Sequence, residues 1–431
     1  MKRIIIRPAS FLRGTIEVPG DKSISHRAIM LGSLATGVTE IHHFLPSADC
    51  LSTIEIFKNM GVSIKRQNNL VWVDGKGLNS LRLPRKILNA RNSGTTARIL
   101  LGLLSGQSFS SRLTGDKYLR RRPMKRVVIP LTQMGAKIAG RVNANNLPLK
   151  IEPRKLRSIN YELPVASAQV KSAILMAGLF ALGETKITEP AQSRDHTERM
   201  FHTFGIPLQK RGLTIIQKGP AKPFEAKKIV VPGDFSSAAF FIIAALITPN
   251  SKVLLKNVGM NPSRIGLIDV LLKMGALIRV FPQRIKNGEE PIADVLVRTS
   301  SLKGIEVGGN LVPRMIDEFP IFAVAATQAE GLTVVRDAED LKVKESDRIL
   351  MMVVTLQKMG ADIEAQPDGW LIKGPTPLKG TKLSSGGDHR VAMSLAVAAL
   401  IAEGSTTILD TENINTSFPN FEKVLKSVIQ K

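Results

Sequence analysis

Seven cations share one setting. Lys22 and Arg27 in "GDKSISHRA", Arg98 in "NSGTTAR", Arg122 in "RRRPM", Lys344 and Arg348 in "VKESDR" and Arg390 in "GGDHR" all stand at or just before runs of small and aliphatic residues. Those runs read as helices apolar on every side, and such helices must be buried. A helix start offers unpaired N–H groups and partial positive charge, so formal cations added there make a receptor for anions. The plain alternatives are N-capping for the serines and aspartates and ordinary i,i+4 pairing for Lys344 and Arg348. Either would account for any one motif taken alone.

The elements that must carry these residues repeat. "KSISHRAIMLGSLATG", "SGTTARILLGLLSG", "SAQVKSAILMAGLFALG", "SSAAFFIIAALITPN", "DEFPIFAVAATQAEG" and "DHRVAMSLAVAALIAEG" each open on Ser or Asp and close on Gly or Pro-Asn. Their openers, Ser23, Ser93, Ser167, Ser236, Asp317 and Asp388, are read as N-caps and lie 70, 74, 69, 81 and 71 residues apart. A second signature has a similar period: "FKNMGVSI", "LTQMGAKI", "FHTFGIPL", "LLKMGALI" and "LQKMGADI" are amphipathic helix ends leading through a glycine into a strand. Six copies of one α/β repeat follow. Three buried helices in each of two lobes would cover one another, and the lobe boundary falls near "VVPGDFSS". The polar stretch "PQRIKNGEEP" is read as the insertion that makes the fourth spacing long. Two such lobes facing each other would enclose a small polyanion.

Composition bounds the rest. A chain of 431 residues exceeds one ordinary core. Hydrophobic residues make up 43% and charged residues 22%, a globular balance. The single cysteine, Cys50, excludes an intramolecular disulfide framework and fits a reducing compartment. The opening "MKRIIIRPASFLRG" is too short and interrupted for a secretory signal, and no uncharged run reaches a membrane span, so a soluble cytoplasmic protein is expected. The net charge of +24 is compatible with nucleic acid, but aromatic residues are only 5% and do not interleave the basic cluster 117–126 as stacking platforms would.

At this point the motifs resemble a known family. "GDKSISHRA", "NSGTTAR", "RRRPM", "LPVASAQVKSA", "SRDHTERM", "VPGDFSSAAF", "VKESDRI" and "GGDHRVAMSLAVAA" are similar, in order and from residue 14 to about 422, to the 5-enolpyruvylshikimate-3-phosphate synthases. The resemblance implies a two-lobed inside-out α/β barrel of six βαβαββ units, three per lobe around buried parallel helices. Residues 21–233 would form the first lobe, and 1–20 with 234–431 the second, so the chain would cross between them twice. The implied reaction transfers the enolpyruvyl group of phosphoenolpyruvate to the 5-hydroxyl of shikimate 3-phosphate and releases phosphate, without metal or organic cofactor. A monomer that binds neither nucleic acid nor membrane is expected.

The resemblance also implies roles. Ser23 and Arg27 would hold the ring carboxylate, the arginine as a fork. Ser167, Gln169 and Ser193 or Arg194 would hold the phosphate of shikimate 3-phosphate, Lys344 bridging, with Lys22, Ala168 and Asp317 also against that substrate. Lys22, Gly94 and Arg122 would take the phosphate of phosphoenolpyruvate, beside Gln169, and Arg348 and Arg390 its carboxylate. Asp317 is the expected base for the hydroxyl. Glu345 is the expected acid for the vinyl carbon, shared with Lys22, and a desolvated site would have to raise its pKa. Gly94 would wall the phosphoenolpyruvate pocket, where glyphosate is expected to compete, and a methyl there is expected to meet only that longer ligand.

Three positions depart from the family pattern: Ala168 where a second serine is common, Arg91 where many members carry Gly, and Thr416 where some have a lysine reaching the phosphate. A related enolpyruvyl transferase acting on UDP-N-acetylglucosamine shares the six-unit fold. It commonly has a loop cysteine near the place of "GDKYLRRRP", which this chain lacks.

Overall fold

A computed structural model describes residues 2–283 and 288–430. The chain divides into two compact lobes. One, here the central lobe, comprises Gly20–Val231 with Lys286–Glu290, and the other, the flanking lobe, comprises Met1–Pro19, Pro232–Ile285 and Pro291–Lys431. Each has its own apolar core.

The all-round apolar segments form the buried helices expected. Lys22–Gly32, Gly94–Ser105 and Ala168–Gly178 lie in the central lobe, and Phe235–Ile247, Phe319–Ala326 and His389–Ala398 in the flanking lobe. Phe235–Ile247 contains no charged residue and is buried from Phe235 through Leu246, which only packing on all sides permits. The amphipathic companions, such as Ala48–Asn59 and Arg348–Lys358, end where the second signature predicts. Gly61, Gly135, Gly205, Gly275 and Gly360 follow them at φ of 90°, 97°, 74°, 95° and 92°, the left-handed stop that glycine adopts without a Cβ clash.

Six small sheets surround the helices. Each contains one parallel strand pair extended by antiparallel pairing. In four repeats the parallel pair flanks its own buried helix, as when Asn160–Glu162 and Gly183–Thr188 bracket Ala168–Gly178. The other two exchange partners. Phe11–Glu17 precedes the helix Lys22–Gly32 but pairs with Lys252–Gly259 of the flanking lobe. Lys228–Val230 precedes Phe235–Ile247 but pairs with Thr36–His42 of the central lobe. The chain therefore leaves and re-enters the flanking lobe at two similar sequences, "VPGDKS" and "VPGDFS".

Three of the six expected caps are different residues. Ser93, Ser167 and Asp388 do accept from the helix, through the N–H groups of Thr96, Val170 and Arg390. At the other three, Asp21 caps in place of Ser23, Asp234 in place of Ser236, and Asp317 lies one residue before the Glu318 cap position and makes no cap bond. An aspartate two residues upstream of each serine reaches the same N–H groups first and suits the positive helix end better. Of "PQRIKNGEEP", residues 284–287 lie outside the described residues.

Candidate functional site

In the central lobe, capping by Asp21 leaves Lys22 and Ser23 on the first turn, half-buried and not spent on the cap. The Lys22 ammonium pairs with Asp49, at the start of Ala48–Asn59. Nothing in the sequence pattern pointed to Asp49. His26 is buried against Thr53, its Nδ1 2.7 Å from Oγ1, and burial together with Lys22 and Arg27 pushes its pKa well below the ordinary histidine value. It is a neutral strut.

Arg27 is only 3% exposed. Its Nε donates to Thr197 Oγ1 at 2.7 Å, Nη2 to Ser172 Oγ at 2.7 Å and Nη1 to the Ser23 carbonyl at 3.0 Å. Among the described residues no carboxylate pairs with it, and burial pulls its pKa down to about 10. The expected fork is thus half committed to the protein, with one N–H on each terminal nitrogen remaining.

Gly94 opens the helix Gly94–Ser105, and the guanidinium groups of Arg98 and Arg122 lie against it. A Cβ built at Gly94 would stand 3.1 Å from Arg122 Nη1 and 3.0 Å from Arg98 Nη1. This overturns the expectation that a methyl there meets only a longer ligand, because it first meets the cations. Gln169 joins the same cluster, accepting from Arg98 Nη1 at 2.7 Å and donating to Thr95 Oγ1 at 3.1 Å. Gln169 is therefore tied to a neighbouring helix rather than solvated. Ser167 and Ala168 stand at the start of Ala168–Gly178.

Ser193 is buried and donates its hydroxyl to Glu189, which also receives the Ser193 N–H at 3.3 Å. That proton is not available to a ligand in this arrangement. Arg194, half-buried, lies near enough to Arg27 for its charge to oppose the arginine's protonation. Arg91 has φ of 51°, the left-handed region, and its side chain pairs with Glu55 at 2.9 Å on the surface.

In the flanking lobe, one arginine organises the residues. Arg348, 1% exposed, donates Nε to Asp388 Oδ2 at 2.9 Å, Nη2 to Glu345 Oε2 at 2.6 Å and Nη1 to Asp317 Oδ1 at 3.3 Å. Arg390 Nη2 lies 3.5 Å from the other Asp317 oxygen. Burial opposes the charge of Arg348, but Asp388, Glu345 and Asp317 outweigh it and raise its pKa above the ordinary arginine value. Asp388, caught between burial and Arg348, is held below the usual carboxylate range. The i,i+4 helical alternative for Lys344 and Arg348 fails here. Lys344 ends a short 3₁₀ turn, Asp347 caps the next helix, and Arg348 is its first residue, turned inward. Burial pulls the Lys344 ammonium down to about 8, against the opposing pull of Asp340, Asp317 and Glu345. Thr416 donates its hydroxyl to the Asn413 carbonyl at 2.7 Å. Among the described residues, no group of three or more His, Cys, Asp or Glu is arranged to hold a metal, and no helix is long and apolar enough to cross a membrane.

Six α/β repeats in two lobes, with cations at the starts of buried helices and an aspartate clasped by two arginines, define an anion-binding α/β protein of the kind the motif resemblance implies. The chain belongs to the EPSP synthase (3-phosphoshikimate 1-carboxyvinyltransferase) family, whose model matches residues 6–425. It is 54% identical over 423 residues to the 3-phosphoshikimate 1-carboxyvinyltransferase of Geobacillus kaustophilus (strain HTA426), covering 97% of this chain and 98% of the relative. To that of Bacillus thuringiensis (strain Al Hakam) it is 53% identical over 429 residues, covering 99% and 100%. The solved EPSP synthase of Acinetobacter baumannii superposes with a TM-score of 0.88 at 44% identity, covering 99% of this chain and 98% of that one.

Proposed function

We propose that this enzyme transfers the enolpyruvyl group of phosphoenolpyruvate to the 5-hydroxyl of shikimate 3-phosphate, releasing inorganic phosphate. The observation that carries the reading is Asp317 clasped by Arg348 and Arg390, with Glu345 on the same Arg348 guanidinium. A carboxylate for the hydroxyl proton and a second carboxyl for the vinyl carbon thus stand around one fixed cation.

In the reaction, Asp317 accepts the 5-hydroxyl proton as the oxygen attacks C2 of phosphoenolpyruvate. Glu345, assisted by Lys22, gives a proton to C3, forming a tetrahedral adduct. Return of a C3 proton to Glu345 and cleavage of the bond between C2 and the phosphate oxygen then expel phosphate and leave the enol ether. Ser23 and Arg27 take the shikimate carboxylate. Ser167, Gln169, Arg194 and Lys344 take its phosphate, with Ser193 holding the turn beside Arg194. Lys22, the Gly94 N–H and Arg122 take the phosphate of phosphoenolpyruvate, and Arg390 takes its carboxylate beside the N–H groups of Arg348 not spent on Asp388, Glu345 and Asp317. Neither metal nor organic cofactor enters these steps. Glyphosate, carrying a carboxylate and a phosphonate, competes for the phosphoenolpyruvate groups. The enzyme works as a cytoplasmic monomer without nucleic acid or membrane.

The test is continuous measurement of phosphate release. Release should require both substrates and persist in chelator, while release with UDP-N-acetylglucosamine replacing shikimate 3-phosphate would overturn the assignment.

A further inference from the structure

The helix Ala168–Gly178 is apolar apart from Gln169, Ser172 and one buried ammonium. Lys171, 1% exposed, is held by Glu189 Oε2 at 2.7 Å and Glu198 Oε1 at 2.8 Å, with the Ser193 carbonyl at 3.5 Å. Burying an amine is costly unless carboxylates compensate, and here Glu198 and Glu189 outweigh burial and hold its pKa above the ordinary lysine value. None of these three groups has a part in the chemistry above.

Their neighbours do. Ser172, next to Lys171, and Thr197, next to Glu198, bond each other at 2.7 Å and together receive two N–H groups of Arg27. Glu189 grips Ser193 by both its N–H and its hydroxyl, fixing the turn that bears Arg194. Ser167, Ala168 and Gln169 lie on the first turn and cap of the Lys171 helix itself. One ammonium therefore ties Ala168–Gly178 to the turn at Ser193 and to His196–Thr203, and the adjacent Ser172 and Thr197 carry that tie to Arg27 of Lys22–Gly32. One Glu198 oxygen is buried without a partner among the described residues, so the second carboxylate is matched by charge rather than by a full set of bonds. Glu198 is also the acid that most favours protonation of Arg27.

We infer that Lys171, with Glu189 and Glu198, is a positioning centre for the shikimate 3-phosphate residues Arg27, Ser167 and Arg194, and does not serve phosphoenolpyruvate, whose neighbour Gln169 is fixed instead by Arg98 and Thr95. This rests on the reaction proposed above. Lys171→Met should raise KM for shikimate 3-phosphate by about ten-fold or more, since displacement of aligned groups by an ångström is enough for such losses. KM for phosphoenolpyruvate and kcat should stay within about two-fold, the split that marks loss of binding to one substrate. Adding Glu198→Gln to Lys171→Met removes a carboxylate the ammonium served, and should recover part of the affinity, whereas two mere packing defects would add. If Lys171→Met does not fold, Glu189→Gln should still raise KM for shikimate 3-phosphate by about three-fold through its weaker hold on Ser193. Calorimetric titration of shikimate 3-phosphate into each variant provides the same comparison without turnover. A wild-type KM in the variant, an equal rise in both KM values, or no recovery in the double variant would overturn the inference. Wild-type protein that neither releases phosphate nor binds shikimate 3-phosphate would instead overturn the reaction, and this inference with it.

Discussion

Arg27 and Arg348 are both buried arginines beside helix starts, yet they are held in opposite ways. Arg27 in the central lobe bonds two hydroxyls and a carbonyl and, among the described residues, pairs with no carboxylate. Arg348 in the flanking lobe bonds three carboxylates. Burial wins at Arg27 and brings its pKa down to about 10, while the acids win at Arg348. A charge compensated only by neutral groups keeps its attraction for an anion, because the field of a buried cation is poorly screened. A charge matched by carboxylates serves mainly to fix those carboxylates. The same side chain is thus free to put most of its charge on a substrate in one lobe, and in the other first arranges the proton-transfer groups and offers only its remaining N–H groups to a substrate.

The largest effect that would break this contrast is on turnover. Asp317→Asn keeps shape and acceptor geometry but removes the base, so kcat should fall by a factor on the order of 10² to 10⁴. Near-normal turnover would return Asp317 to a structural role.

Stability should separate the two arginines next. Arg348→Met takes from three buried or half-buried acids the cation they share and should cost about 3–5 kcal/mol in urea denaturation. Arg27→Met leaves two hydroxyls and a carbonyl, and should cost only about 1–3 kcal/mol. Equal losses would mean that the carboxylates around Arg348 are not what distinguishes it.

The pH dependence should be smaller and should belong to Lys344. Its pKa is lowered to about 8, so the folded state sheds the proton before the unfolded chain does. Its contribution to stability therefore rises with pH from about 8 up to the unfolded value near 10.4, and the charged form carries the penalty below that window. Since binding needs the charged form, KM for shikimate 3-phosphate should climb above pH about 8 in the wild type, a limb that Lys344→Arg should move upward. A flat profile to pH 9 would remove Lys344 from the binding set.

The smallest effect concerns Gly94. Because a methyl there presses on the Arg122 and Arg98 guanidinium groups, Gly94→Ala should raise KM for phosphoenolpyruvate and the inhibition constant of glyphosate together, each by about three- to ten-fold. A change in glyphosate alone would mean that the arginines yield and only the longer ligand feels the methyl.

Much of this architecture was written in local pattern. Apolar periodicity marked all six buried helices, and the glycines after the amphipathic ones marked their left-handed stops. The cations at helix starts stood out because charge is rare beside such runs. What stayed hidden depends on partners distant in sequence. The pairing of Phe11–Glu17 with Lys252–Gly259 has no local sign, since the strand precedes a helix that belongs to another sheet. Asp49 looked like any first-turn acid until Lys22 reached it. Lys171 did leave a trace, a lone charge in "VKSAILMAG", and a lysine at a position that must be buried calls for an acid partner. Two of the three differing caps arose from local competition: two eligible residues lay two apart, and the acid took the N–H groups.

The division of labour between the lobes is tested most directly by titrating shikimate 3-phosphate calorimetrically into Asp317→Asn and Arg27→Met. Asp317→Asn should bind it within about three-fold of wild type, and Arg27→Met about ten-fold or more weaker, the loss of one charge-assisted contact. Equal loss in both variants, or wild-type binding by Arg27→Met, would contradict the account.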